Sequence, residues 1–294
     1  AKTGLGMGTF FSGGATGVDL MQLFVAPTYA YKFAPNSSVG ASVILAYQRF
    51  EAFGLQNFAG FSTSPSNLSN NGYDSSTGFG GKVGAQFDVG GGVTLAASYQ
   101  TKISMGEFDK YKGLFAEQGG FDIPATATVG AAFKVAPDHT LVLDVQQIYY
   151  SDVDSIGNSF LPAMGLCGLG ISPATNCLGG SAGAGFGWED MTILKLGYQW
   201  KANPTWTFRA GYSKGDQPIP SSEVLFNILA PAVIEQHYTA GFTWTLDKKS
   251  ELNFAAMYAP SKSVSGTNPL AAGSQTITLE MKQYEFEISY GMKF

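Results

Sequence analysis

The chain closes on Gln283-Tyr284-Glu285-Phe286-Glu287-Ile288-Ser289-Tyr290-Gly291-Met292-Lys293-Phe294, apolar and polar alternating up to a terminal aromatic. Successive side chains of a strand point to opposite faces. Tyr284, Phe286, Ile288, Tyr290, Met292 and Phe294 therefore share one face, and Gln283, Glu285, Glu287, Ser289 and Lys293 the other. One such strand fits many soluble sheets. Here the pattern recurs about eleven times, over 19–33, 38–50, 77–89, 92–103, 123–135, 139–150, 187–201, 204–214, 235–246, 250–259 and the closing segment. That repetition predicts an all-β fold, a transmembrane antiparallel β-barrel forming one domain over 1–294.

Composition points the same way. Hydrophobic residues make up 45% of the chain and charged residues only 13%, about half the usual charged share of roughly 25%. No run approaches the roughly 18 apolar residues of a membrane helix. A barrel spreads its apolar surface over alternate residues, so such a run is not needed. Aromatics gather near strand ends on the apolar face, at Tyr29, Tyr47, Tyr99, Tyr149, Trp200, Tyr212, Trp244, Tyr258 and Tyr290. Those positions suit interfacial girdles. A net charge of −5 argues against a nucleic-acid partner, which wants a basic surface.

Connections alternate in length. Short turns fall at 34–37, 90–92, 136–138, 202–204 and 247–249, and long connections at about 51–76, 104–122, 151–186, 215–234 and 260–280. Outer-membrane barrels have short periplasmic turns and long extracellular loops. This orients the chain and puts Phe294 at the periplasmic end. An odd count of eleven leaves Ala1 at the opposite end, whereas bacterial single-chain barrels have even counts. The pattern therefore predicts either a further strand in Leu5–Phe11 or, as the favoured reading, an N-terminally truncated barrel.

The long loops carry the candidate ligand site. Phe50, Phe53, Leu55, Phe58 and Phe61 cluster in the first. Phe108, Tyr111, Leu114 and Phe115 lie in the second, whose spacing over 106–118 predicts a short amphipathic helix. A second short helix is predicted over 220–231, opened by a Ser cap and closed before Pro231. These side chains either line a groove for a hydrophobic molecule or pack on one another as a cap. Cys167 and Cys177 suggest a disulfide in an oxidising compartment, with two free thiols as the alternative. No His stands near them, so no metal site is expected. The two histidines, His139 and His237, lack a recognisable nucleophile pattern. The chain is read as no enzyme, without cofactors.

Four stretches resemble the outer-membrane transporters of long-chain fatty acids and aromatic hydrocarbons. They are Gly17–Leu23, Ala46–Glu51, Phe108–Gln118 with Phe121–Pro124, and Gly215–Glu223. The resemblance implies a fourteen-stranded barrel with an N-terminal hatch. It further implies ligand capture between extracellular loops, transfer to an internal pocket and exit through the wall. It also implies that this chain lacks the hatch and about three first strands. By position, Arg49 and Lys102 are candidate polar anchors for a ligand carboxylate, although Arg49 shares its parity with the outward Tyr47. The implied partners are a hydrophobic small molecule, outer-membrane lipid and lipopolysaccharide, and the barrel-assembly machinery. A structural or adhesive barrel with a sealed lumen and a general-diffusion porin are the alternatives.

Overall fold

Period-two alternation commits these segments to strands, because only a strand sends neighbouring side chains to opposite faces. A computed structural model describes residues 2–4, 15–162, 167, 174–271 and 275–293. Its fourteen strands form one antiparallel sheet. They are β1 (Lys2–Gly4), β2 (Ala15–Val25), β3 (Thr28–Ala34), β4 (Ser37–Phe53), β5 (Asp74–Gly90), β6 (Val93–Gln100), β7 (Ser104–Met105), β8 (Thr126–Ala136), β9 (His139–Ile148), β10 (Met191–Lys201), β11 (Trp206–Gly215), β12 (Gln236–Thr245), β13 (Ser250–Thr267) and β14 (Thr276–Met292).

Two passes are interrupted. β2 and β3 both pair with β4 and are separated by Ala26 and Pro27. Pro27 has no N–H to give, but its carbonyl accepts from Val43 N–H at 3.2 Å. β6 and β7 likewise both pair with β5. Besides β1, the sheet thus makes the eleven passes expected from the pattern. β1 pairs with the start of β2, Lys2 opposite Gly17. The candidate strand at Leu5–Phe11 and the terminal Phe294 lie outside the described residues. β1 and β14 end the sheet, with no pairing between them among the described residues.

The short turns all lie at one end and carry turn chemistry. Gly90, Gly91 and Gly92 have φ of +85°, +62° and +79°, a region open to glycine and strained for other residues. The Asp247 carboxylate accepts from the Ser250 hydroxyl and from the N–H groups of Lys249 and Ser250. The Ser250 hydroxyl first, then the Lys249 N–H, holds that carboxyl below its ordinary pKa.

The outer face is banded. Tyr212, Tyr238, Tyr258 and Tyr284 stand directly opposite one another across β11 to β14. Trp206, Trp244, Leu252 and Tyr290 form a parallel row nearer the short turns, about 20 Å away along the strands. Between them Phe286 and Ile288 are 71% and 73% exposed. Apolar side chains this bare, flanked by aromatic rows, match the ~25 Å apolar band of a membrane barrel.

Beyond the tyrosine row the faces exchange character. On β14 the outward positions become Lys282, Glu280, Thr278 and Thr276, while inward Leu279 and Ile277 are buried. On β4 the outward series Val39, Val43, Leu45 passes into Arg49 and Glu51, and inward Gln48, Phe50 and Ala52 are buried. The solvent outside has changed from lipid to water there, and the inside from lumen to a packed cap.

The structure departs from two expectations. The connection placed at 260–280 is mostly strand: β13 runs to Thr267 and β14 starts at Thr276, with a register shift between Ala259 and Lys262. The inward apolar residues of this extension have the cap to bury against, which keeps it ordered. The two expected loop helices are also broken up. The first becomes a 3-10 turn at Asp109–Tyr111 and a four-residue segment at Ala116–Gly119 whose Glu117 and Gln118 have positive φ. The second becomes 3-10 turns at Ser221–Glu223 and Phe226–Ile228, with Pro220 rather than Ser221 preceding the first. Segments this short gain their order from tertiary packing, not from helix propagation.

Candidate functional site

The long loops converge at the end opposite the short turns and build one apolar cluster. Phe50 comes from the top of β4, Leu55 and Phe58 from the loop after it, and Phe108, Tyr111, Leu114 and Phe115 from the loop before β8. Phe160 and Phe186 come from the loop between β9 and β10, and Ile219, Val224, Leu225 and Phe226 from that between β11 and β12. Phe61 packs against the cluster from its edge. Burying one such ring contributes about 1.5–3 kcal/mol, so the cluster is a large share of what holds the loops together.

The rings pair closely. Phe50 lies 4.8 Å from Phe115 and 4.9 Å from Tyr111, centroid to centroid. Phe160 stacks on Phe226 at 4.9 Å, and Phe58 meets both edge-on at 5.7 and 5.9 Å. Burial pushes the Tyr111 phenol pKa up, and its hydroxyl donates to the Gly72 carbonyl at 2.7 Å. These side chains therefore pack on one another across the loops. Apolar rings facing water across an open cleft gain by closing on each other.

Phe53 stands apart, beside Asp19, Glu51 and Tyr73 around a separate cavity of about 650 Å³. Arg49 is also elsewhere. Its guanidinium lies 4.1 Å from the Tyr73 ring centroid on the outer side of β4, and the Tyr73 hydroxyl donates to Asp19 at 2.7 Å. Lys102 is engaged by Asp122 at 3.2 Å. The two anchors expected from sequence thus face away from the cluster or are already paired. Cys167 and Cys177 form a disulfide with Cα atoms 5.6 Å apart, tying together two points ten residues apart within the 149–190 loop beside the cluster.

A buried polar staple joins two loops of the cap. One Glu223 carboxylate oxygen accepts from the Ser159 hydroxyl at 2.5 Å and the other from the Phe160 N–H at 3.0 Å. One turn on, Asn227 donates to the Phe186 carbonyl at 2.6 Å and accepts from the Trp188 indole N–H at 2.6 Å. Gly187 has φ of +68°, and a Cβ there would stand 2.5 Å from Glu223 Cγ. Glu223 and Asn227, four apart at the start and in the middle of the otherwise apolar run Glu223–Leu229, were the available sign of this staple. Glu223→Ala leaves buried donors unmet, at about 1.5–3 kcal/mol. Proteolysis of the 149–190 loop should accelerate in Glu223→Ala and change less in Glu223→Gln. Equal rates in all three proteins would mean the staple does not hold the loops.

Beneath the cap lies the lumen, where polar side chains stand among small and apolar ones. A cavity of about 480 Å³ is set against the inner face of β9 to β14, over a floor that includes Gly197, Gly211, Gly241 and Ala255. Arg209 donates to Gln199 at 3.0 Å and to Thr243 at 2.7 Å, and Thr243 donates to Asn253 at 2.6 Å. A second cavity of about 300 Å³ lies against Gly40, Gly84, Ser98 and Asp144. Small side chains on the inner wall leave this room.

The family model for outer membrane protein transport protein (OMPP1/FadL/TodX) matches residues 7–294. No curated protein sequence matches the chain. Among solved structures, the toluene transporter TodX of P. putida aligns with 100% of this chain and 73% of its own, at 20% identity and TM-score 0.65. The toluene transporter TbuX of Ralstonia pickettii aligns over 94% and 68%, at 17% identity and TM-score 0.59. A FadL homologue of Pseudomonas aeruginosa aligns over 94% and 68%, at 16% identity and TM-score 0.61. Identities this low bear on the fold alone.

Proposed function

Since this chain belongs to the outer membrane protein transport family OMPP1/FadL/TodX, a family of outer-membrane β-barrel transporters, we propose that it takes up hydrophobic small molecules passively. Long-chain fatty acids, alkanes and aromatic hydrocarbons are the candidate ligands. The observation that carries this reading is the aromatic cluster, built by four loops and the β13–β14 hairpin above the lumen. An apolar molecule arriving from water gains there what the rings gain from one another. Phe61, Phe121 and Trp188, partly buried at the cluster's edge, are its first contacts. Capture requires the loops to part, and the ligand then takes the place of a ring contact. TodX and TbuX, which share the fold, are toluene transporters, and toluene is therefore one of the ligands to test.

The close packing of the cap also suits a sealed structural barrel, and one experiment separates the two. Purified protein is placed in lipid vesicles, and entry of labelled oleate and of toluene is measured against empty vesicles. Uptake above the empty-vesicle rate, saturating with ligand, is expected. Entry no faster than through bare lipid removes the transport reading. Large ion conductance without saturable uptake favours an open porin.

A further inference from the structure

The row of four tyrosines is overtopped by two exposed lysines, Lys214 and Lys282, that meet no carboxylate among the described residues. Tyr212, Tyr238, Tyr258 and Tyr284 lie in register across β11 to β14, and the outer pairs have ring centroids 5.1 and 5.0 Å apart. One outward step towards the cap, β11 carries Lys214 and β14 carries Lys282. Both are exposed, and neither forms an ion pair among the described residues. Lys282 Nζ lies 5.4 Å from the Tyr284 ring centroid. Gln236 stands opposite Lys214 and accepts from the Tyr238 hydroxyl at 3.2 Å.

The neighbouring carboxylates are mostly spoken for. Glu235 pairs with Lys262 at 2.7 Å, and Glu280 is held by the Ser261 hydroxyl. Asp216, just past the end of β11, is exposed. Three strand spacings separate the two lysine-bearing strands, about 14 Å. The patch therefore offers two cations, phenol hydroxyls at headgroup depth and an apolar wall below.

We propose that this face of the barrel binds a phosphorylated glycolipid of the outer leaflet, with Lys214 and Lys282 on its phosphates and its acyl chains along the wall below the tyrosines. The position decides the class of partner. The lysines sit where the outer face changes from bare apolar to polar, which is the depth of lipid headgroups, and a polypeptide ligand has no use for the apolar wall. The assignment rests on the membrane placement of the barrel and not on what the barrel carries, so the vesicle uptake result does not bear on it.

The test uses the purified protein in a neutral detergent, titrated with lipopolysaccharide, with enzymatically dephosphorylated lipopolysaccharide and with inorganic phosphate, binding being read by native mass spectrometry. The phosphorylated lipid should bind best. Lys214→Gln/Lys282→Gln should lose roughly thirtyfold in affinity, and each single variant roughly fivefold, at the usual worth of a lysine near an anionic lipid surface. Lys248→Gln/Lys249→Gln, at the opposite end, should bind as wild type. Heat-modifiable gel mobility identifies folded barrels, and the single variants carry the reading if the double variant fails to fold. Equal binding of the dephosphorylated lipid, or unchanged binding by the folded variants, overturns the proposal. Competition by inorganic phosphate alone at comparable concentration would reassign the lysines to a free-anion site.

Discussion

Val129→Arg should strongly destabilise the inserted barrel, while Thr128→Arg, one residue earlier, should leave it close to wild type. Val129 is 56% exposed on the outer face of β8 and lies between Ala97 on β6 and Val145 on β9. An arginine there has only apolar neighbours and lipid, at about 2–4 kcal/mol near the bilayer midplane. Thr128 points the other way, into the cavity that Asp144 also lines. Its replacement would place a guanidinium near that carboxylate in a wet lumen. Both proteins are refolded into vesicles and scored by heat-modifiable mobility and by urea midpoint. A large drop for Val129→Arg alone is expected. Similar behaviour of the two variants would refute a lipid-facing outer wall, since a soluble barrel exposes both faces to water. A single marginally stable domain, at roughly 5–15 kcal/mol overall, has little room for a loss of this size.

The barrel wall is legible from sequence because its signal is local. Alternation over each pass is enforced by two solvents, lipid and lumen, that meet every strand on opposite sides. The short turns are legible for the same reason: Gly90 to Gly92 and Asp247 solve their backbone problems within a few residues. The cap is a different kind of object. Phe50 on β4 finds Phe115 across a loop, and Phe58 finds Phe160 and Phe226 from two further loops. No spacing rule encodes partners so far apart in the chain. Phe108, Tyr111 and Phe115 lie three and four residues apart, which a helix explains, but a 3-10 turn followed by a left-handed kink at Glu117 places them equally well.

Where the two regimes meet, the pattern is readable but its meaning changes. Arg49 keeps the parity of Tyr47 and so stays outside, over Tyr73. Its position suggests a ligand anchor, and its parity opposes that role. Along the β13–β14 extension the outward residues turn polar at Ser261, Ser263 and Ser265, and Pro260 interrupts the strand pattern. Those serines mark water on the outer side, while Leu279 and Ile277 mark a cap on the inner one. Inversion of the alternation, and not its loss, is the sequence sign of a strand leaving the membrane.

Phe226→Ala should open the cap and leave the wall intact. Phe226 is 3% exposed and touches Phe58, Phe160 and Phe186, with centroids at 5.9, 4.9 and 5.1 Å. Removing a ring so enclosed costs about 3–5 kcal/mol, because the stacked Phe160 and edge-on Phe58 cannot both move in to fill the space. The loss falls on the loops, since the strands below are held by their own ladders and by lipid. Amide exchange in the described parts of the 149–190 and 216–235 loops should speed up by two to three orders of magnitude, taking ~1.4 kcal/mol per tenfold. Exchange in β9 to β12 should stay unchanged. Uptake then tests the coupling: if parting of the cap limits capture, the variant should show faster entry of hydrophobic ligand at saturating concentration and weaker half-saturation. The two effects oppose each other because the same ring both closes the site and forms its wall. Faster exchange with unaltered uptake would place the rate-limiting step below the cap, in the lumen around Arg209.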